Sequence, residues 1–164
     1  MNEWIDSLSD LSAAGERVVL VTVASIRGSA PREPGAKMIV TRSETVGTIG
    51  GGQLEHQCTR IAVGMLDGAE QRQLQSFPLG SAMGQCCGGV VDILFEPISS
   101  RLPGWLGELR GMHGQRLPAV MATGIGSNAA ADKQVLAGDA AARFLEDGRQ
   151  PRRVDDCFYE PIIA

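Results

Sequence analysis

Trp4, Ile5, Leu8 and Leu11 recur at helical spacing and Gly15 follows as a stop, which predicts a helix over residues 2–14. Next comes VVLVTVASI, 18–26, a β-branched run that predicts a buried strand. RGSAPREPGA, 27–36, is a Gly/Pro loop, KMIVT, 37–41, a second strand, and 45–49 a short third one. Gly50-Gly51-Gly52 then opens a helix whose Leu54, Cys58, Ile61, Ala62 and Met65 share one face, ending near Gly68. After a variable stretch and the segment GQCCGG, VVDILFEPI, 90–98, is a strand closed by Pro97.

The remainder repeats this outline. A helix is expected over 103–113, strands over 118–125 and 133–138, and a helix over 139–148 with Ala142, Phe144 and Leu145 toward the core. The final strand ends in FYEPI, 158–162, echoing FEPI at 95–98. The pattern predicts one α/β domain, a mixed sheet with flanking helices, built as two pseudo-repeated halves, 1–98 and 99–164. RGSAPREPGA, GTIGGG and GQCCGG occur only in the first half. Shared scaffold carries stability, so function is expected in the loops that one half alone possesses.

Composition narrows the class. The 164 residues are 43% hydrophobic, enough for one core, and 15 Lys plus Arg face 19 Asp plus Glu. No basic block stands out and only 4% of residues are aromatic, which argues against a nucleic-acid partner. The acidic N-terminus lacks the pattern of a secretory signal, and the longest apolar run is about half a membrane span. Four cysteines without a regular framework fit thiols in the reducing cytoplasm.

Three stretches could carry chemistry. In GTIGGGQLE, Gly50, Gly51 and Gly52 let backbone N–H groups converge before a helix N-terminus, a cradle for phosphate or carboxylate or simply a tight turn. Glu55, in the first helical turn, complements the helix dipole or faces a ligand. In the 27–36 loop and just beyond it, Arg27, Ser29, Arg32 and Lys37 stand on a segment stiffened by Pro31 and Pro34. Arg32 is the best phosphate ligand, because guanidinium bonds bidentately. Both loops follow strands of the first half and are expected to meet at one edge of the sheet. In GQCCGG, Gln85, Cys86, Cys87 and Gly88 leave no zinc or CxxC spacing. Adjacent extended residues point to opposite faces, so one thiol is expected in a pocket and the other in the core. Cys58 is expected in the core, His113 at the surface.

GSAPREPGAKM, GTIGGGQLE and GQCCGG, in this order, resemble the signature blocks of the XdhC/CoxI family, accessory proteins of xanthine dehydrogenase and related molybdenum hydroxylases. The resemblance implies a chaperone, not a catalyst with turnover of its own. Such a protein binds molybdenum cofactor (molybdopterin) as cargo, assists its sulfuration with a cysteine desulfurase and delivers it to the hydroxylase. It implies that Ser29, Arg32, the three glycines, Glu55, Gln85 and Gly88 hold the cofactor, with Cys86 or Cys87 toward the molybdenum. A thiol-based persulfide carrier and a docking module are the alternatives. Two departures are visible. Gln53 stands where the family often has cysteine, and the chain stops at Ala164, where a Rossmann-like domain usually follows. Apolar surface left by that missing domain leads us to expect a homodimer.

Overall fold

The run VVLVTVASI becomes the middle strand of a five-stranded sheet because both of its faces find apolar cover. The computed structural model describes residues 3–68, 71–80, 88–125 and 133–162. The first half comprises α1 (Glu3–Ala13), β1 (Val18–Arg27), β2 (Lys37–Val40), β3 (Thr45–Gly47), α2 (Gly52–Met65), β4 (Gln73–Pro78) and β5 (Val90–Ile98). The second comprises α3 (Gly104–Gly114), β6 (Ala119–Gly124), β7 (Gln134–Leu136), α4 (Gly138–Glu146), β8 (Arg152–Val154) and β9 (Cys157–Ile162).

Val19, Val21 and Val23 of β1 pack on Leu54, Cys58 and Ala62 of α2. The alternate positions, Val18 and Leu20, join Ile5 and Leu8 of α1, Leu106 and Leu109 of α3, and Met121 of β6. Each of the valine, leucine, isoleucine and methionine side chains among these, fully buried, contributes roughly 1.5–3 kcal/mol. The period-2 alternation therefore serves two cores at once, one within the first half and one between the halves.

The α/β class and the two-half plan are both present. The strands divide into two antiparallel sheets, ordered β3-β2-β1-β5-β4 and β7-β6-β9-β8. Those orders match element for element: β1 with β6, β2 with β7, β5 with β9, β4 with β8. The helices match too, since Trp4, Ile5, Leu8 and Leu11 stand at the same spacing as Trp105, Leu106, Leu109 and Met112. Two strands lie where the pattern predicts none. β4 runs through the variable stretch with only Phe77 buried, and β8 has no fully buried residue. In α4 the buried residue is Ala141, and the expected core position Ala142 is exposed.

The halves are joined by charge as well as by hydrocarbon. Lys37 Nζ donates to Glu160 Oε2 at 2.6 Å, and Lys133 Nζ donates to Glu96 Oε2 at 2.7 Å. Each lysine also lies over a tryptophan of its own half, 5.1 Å from the Trp4 ring centre and 4.6 Å from that of Trp105. The two glutamates are those of the repeated Glu-Pro-Ile, and each pairs with the other half's lysine. Lys37, grouped with the basic residues of the Gly/Pro loop though also the first residue of the expected strand 37–41, opens β2 and is buried. Burial alone would raise the Glu96 carboxyl, but the Lys133 and Arg72 charges hold it below the ordinary range. Burial pushes the Lys133 amine down, and Lys37 across the interface adds to that.

Breaking such a pair strands a charge in the core, which costs about 3–5 kcal/mol, whereas replacing both partners with hydrocarbon is often neutral. Lys37→Met should therefore lose about 3 kcal/mol of unfolding free energy. Lys37→Met combined with Glu160→Leu should recover more than half of that loss. Urea titrations of the two variants check this, and equal losses would show that the pair contributes nothing specific.

Candidate functional site

The loop after β1 is the hub on which the other two loops rest. Its base is fixed by charge. Ser25 Oγ donates to Asp92 Oδ2 at 2.5 Å, Arg27 Nη2 donates to Oδ1 at 3.2 Å, and Ser76 Oγ donates to Oδ1. Asp92 on β5 thus ties together β1, β4 and β5 beside an irregularity in β1 between Val23 and Ser25. Sequence reading missed this cluster, because an aspartate between Val91 and Ile93 gives no local sign of its three partners.

Pro31, further along the loop, lies against Gly50, where a Cβ would come within 2.6 Å of the proline Cγ. Gly50 also has φ +127°, so two constraints exclude a side chain there. On the loop's other flank, a Cβ at Gly89 would overlap the Ser29 carbonyl oxygen and stand 2.8 Å from that of Arg27. The end of GQCCGG is thus pressed onto the loop, and Gly89 O accepts from Leu79 N at 2.7 Å. At Gly88, one residue earlier, a Cβ would meet nothing within 4 Å among the described residues. Parts of all three loops meet at one end of the first sheet, as expected for two of them. Gln85, Cys86 and Cys87 lie outside the described residues.

The triple-glycine turn is held by its own helix. Glu55 Oε2 accepts from Thr48 Oγ1 (2.5 Å), Ile49 N (3.1 Å) and Gly51 N (3.0 Å). Two N–H groups that an anion could have used are therefore occupied by an internal carboxylate. The first-turn N–H groups of Gly52, Gln53 and Leu54 lie outside those bonds. Ser29 is exposed, and half-buried Arg32 takes part in no ion pair among the described residues.

Arg32 belongs to the wall of a cavity of about 470 Å³ that extends from the loop to the junction of the halves. Trp4, Lys37, Thr48 and Glu160 are also on the wall. Sequence reading did not place Trp4 or Glu160 in a site. The repeated Glu-Pro-Ile was the available signal, and it gave no hint that one glutamate would border a cavity.

The remaining titratable candidates lie elsewhere. Burial, helped by the nearby Glu55 charge, pushes the Cys58 thiol up to about 12, so it remains a protonated core thiol at neutral pH. Cys157 is half-buried, His56 is exposed, and His113, expected at the surface, is half-buried with Nδ1 enclosed and unpartnered among the described residues.

By fold, the chain is similar to a crystal structure described as a xanthine dehydrogenase from Bacillus halodurans, with TM-score 0.71 and 16% identity. The match covers 97% of this chain and 52% of that one, so this chain spans about half the length of that protein. At this identity the likeness is one of fold. Residues 11–78, which hold the first two loops, match the model of the XdhC and CoxI family. No curated protein matches the sequence. Among the described residues no helix is long and apolar enough to cross a membrane.

Asp92 provides a pH test of the hub. Its burial acts to raise the carboxyl, but the Ser25 and Ser76 hydroxyls and the Arg27 guanidinium hold it below the usual range. A carboxyl depressed in the folded state contributes stability that is complete above its unfolded value, about pH 4, and is lost as pH falls through the folded value. Asp92→Asn should therefore be less stable than wild type at pH 7, with the gap narrowing toward pH 3. Urea titrations at both pH values measure the gap, and a constant gap would remove Asp92 as a charge-dependent anchor.

Proposed function

We propose that this chain is a cytoplasmic maturation factor that carries molybdenum cofactor as cargo. It assists sulfuration of the cofactor and its insertion into a xanthine dehydrogenase-type molybdenum hydroxylase, working with a cysteine desulfurase. The observation that carries the proposal is the meeting of the three signature loops, with Pro31 on Gly50 and Gly89 on Ser29. The match to the XdhC and CoxI family model and the fold shared with a protein described as a xanthine dehydrogenase support it.

The residues present fit such a cargo. Arg32, in no ion pair among the described residues, and the exposed Ser29 hydroxyl suit a phosphate. A Cβ built at Gly88 would meet nothing within 4 Å among the described residues, which leaves room there for a bulky group. When bound, the cofactor supplies a thiophilic metal centre held by a dithiolene, for which a soft thiolate from Cys86 or Cys87 is the matching ligand. Glu55 acts indirectly, by holding the triple-glycine turn in shape against the hub loop. Pro31 and Pro34 limit the entropy lost when that loop closes on a ligand.

The test is purification of the full chain under reducing, anaerobic conditions with a cofactor source, followed by oxidation and measurement of pterin fluorescence. Wild type should retain pterin. Arg32→Ala should weaken retention roughly tenfold in a salt-sensitive manner, as expected for loss of one charge-assisted contact. Cys86→Ala or Cys87→Ala should cut retention while leaving the chain folded. Desulfurase-driven sulfur transfer to these cysteines with no pterin retained would make the chain a sulfur carrier instead. Co-elution with the apo-hydroxylase and neither of these activities would make it a docking module.

A further inference from the structure

The two crossed ion pairs are built alike and finished differently. On Glu96, Lys133 Nζ donates to Oε2 and Arg72 Nε donates to Oε1 at 3.1 Å, so both oxygens have donors. On Glu160, Lys37 Nζ donates to Oε2, and among the described residues no donor reaches Oε1. The strand registers account for the difference. Gln73 of β4 pairs with Phe95, and Arg152 of β8 pairs with Tyr159, each partner directly preceding its glutamate. The residue before Gln73 is Arg72, and the residue before Arg152 is Pro151, which has no side-chain donor. Arg152 itself turns away, lying 3.7 Å over the Phe144 ring and donating to the Phe144 and Gly148 carbonyls.

The unfinished carboxylate is only 5% exposed, yet it borders the cavity of about 470 Å³. Its Oε1 faces Gly35, another wall residue, since a Cβ built there would stand 3.5 Å from it. The same Cβ would lie 2.9 Å from Pro151 Cγ, so Pro151 packs beside Gly35 on the side that Glu160 Oε1 faces. The volume is within the range of small-molecule sites. The wall carries three acids, Glu3, Glu33 and Glu160, against two bases, Arg32 and Lys37, which favours a group rich in N–H donors.

We infer that this cavity takes the N–H edge of a flat aminopyrimidinone ring of the pterin type, which donates to Glu160 Oε1 as Arg72 donates to Glu96. The inference rests on the cargo reading above and adds the residue that recognises the ring. A desolvated carboxylate discriminates sharply here. A 2-amino group donates to it, whereas a 2-oxo group at the same position sets one acceptor against another. Trp4, on the same wall, offers an aromatic surface beside the ring.

The experiment is fluorescence titration of the full chain with 6-hydroxymethylpterin and with 6-hydroxymethyllumazine, its 2-oxo counterpart. Wild type should bind the pterin at least tenfold more tightly. Glu160→Gln should abolish the discrimination. Pro151→Arg, which supplies the guanidinium present at the matching position, should weaken pterin binding at least tenfold without lowering the melting temperature, and Pro151→Ala should bind as wild type. Equal affinity for the two rings, binding of neither, or pterin binding undiminished in folded Pro151→Arg overturns the inference. If those results accompany cofactor retention in the anaerobic purification, the cargo reading stands and Glu160 is removed from it. Ring discrimination without cofactor retention upholds the Glu160 site and removes the cargo reading.

Discussion

Two buried lysines, each neutralised by a glutamate from the opposite half, are the constraint around which this domain is arranged. Lys37 opens the second strand of its half and Lys133 directly precedes that of the other, and Glu160 and Glu96 each stand in the last strand. Among the described residues, Lys37, Lys133 and Glu160 have no opposite charge paired with them within their own half, and Glu96 has only Arg72 there, so the buried charges depend on the other half being in position. The hydrocarbon between the halves, from Leu20 and Ile98 to Met121 and Ile162, would tolerate some sliding, because apolar contact is not directional. The crossed pairs are directional and set the register. Trp4 and Trp105 cover the two ammonium groups from the helices, so α1 and α3 are tied to the same arrangement.

From this near-symmetric frame the first half departs in its loops. Its five-stranded sheet has an extra strand, β3, leading to the triple-glycine turn, and a longer last strand preceded by Gly88 and Gly89. The loop after β1 is clamped at its base by Asp92, touched by Gly50 at Pro31 and by Gly89 at Ser29, and reaches the cavity with Arg32. One loop thus connects the surface where the signature segments meet with the interior where the halves join. The duplicated scaffold supplies rigidity, and a single half supplies the chemistry. The departure from symmetry at Pro151, where the first half has Arg72, opens at Glu160 what is closed at Glu96.

Much of this could be read from the chain itself, and what could not has identifiable causes. β1 and β5 were legible as continuous apolar-rich runs of about nine residues, and α2 by apolar positions repeating at the helix period. β4 and β8 were not, since an edge strand with one buried residue or none has no periodicity to see, and only its pairing makes it a strand. Ala142 was mistaken for Ala141 because a nine-residue helix with three consecutive alanines does not define its face sharply. The three signature loops were legible as segments, and their contacts through Gly50 and Gly89 were not. Lys37 was misjudged for a stronger reason. A lysine after a Gly/Pro loop looks solvated, and the partner that buries it lies 123 residues away.

The central claim is that the two halves form one cooperative unit held in register by the crossed pairs. Native-state hydrogen exchange on the full chain tests it most directly, by comparing the slowest amides of β1 and β5 with those of β6 and β9. The account predicts one shared opening free energy, equal to that of global unfolding, lowered together in both sheets when Lys37 is replaced by methionine. A second sheet that opens at distinctly lower free energy, with the first still closed, would contradict it.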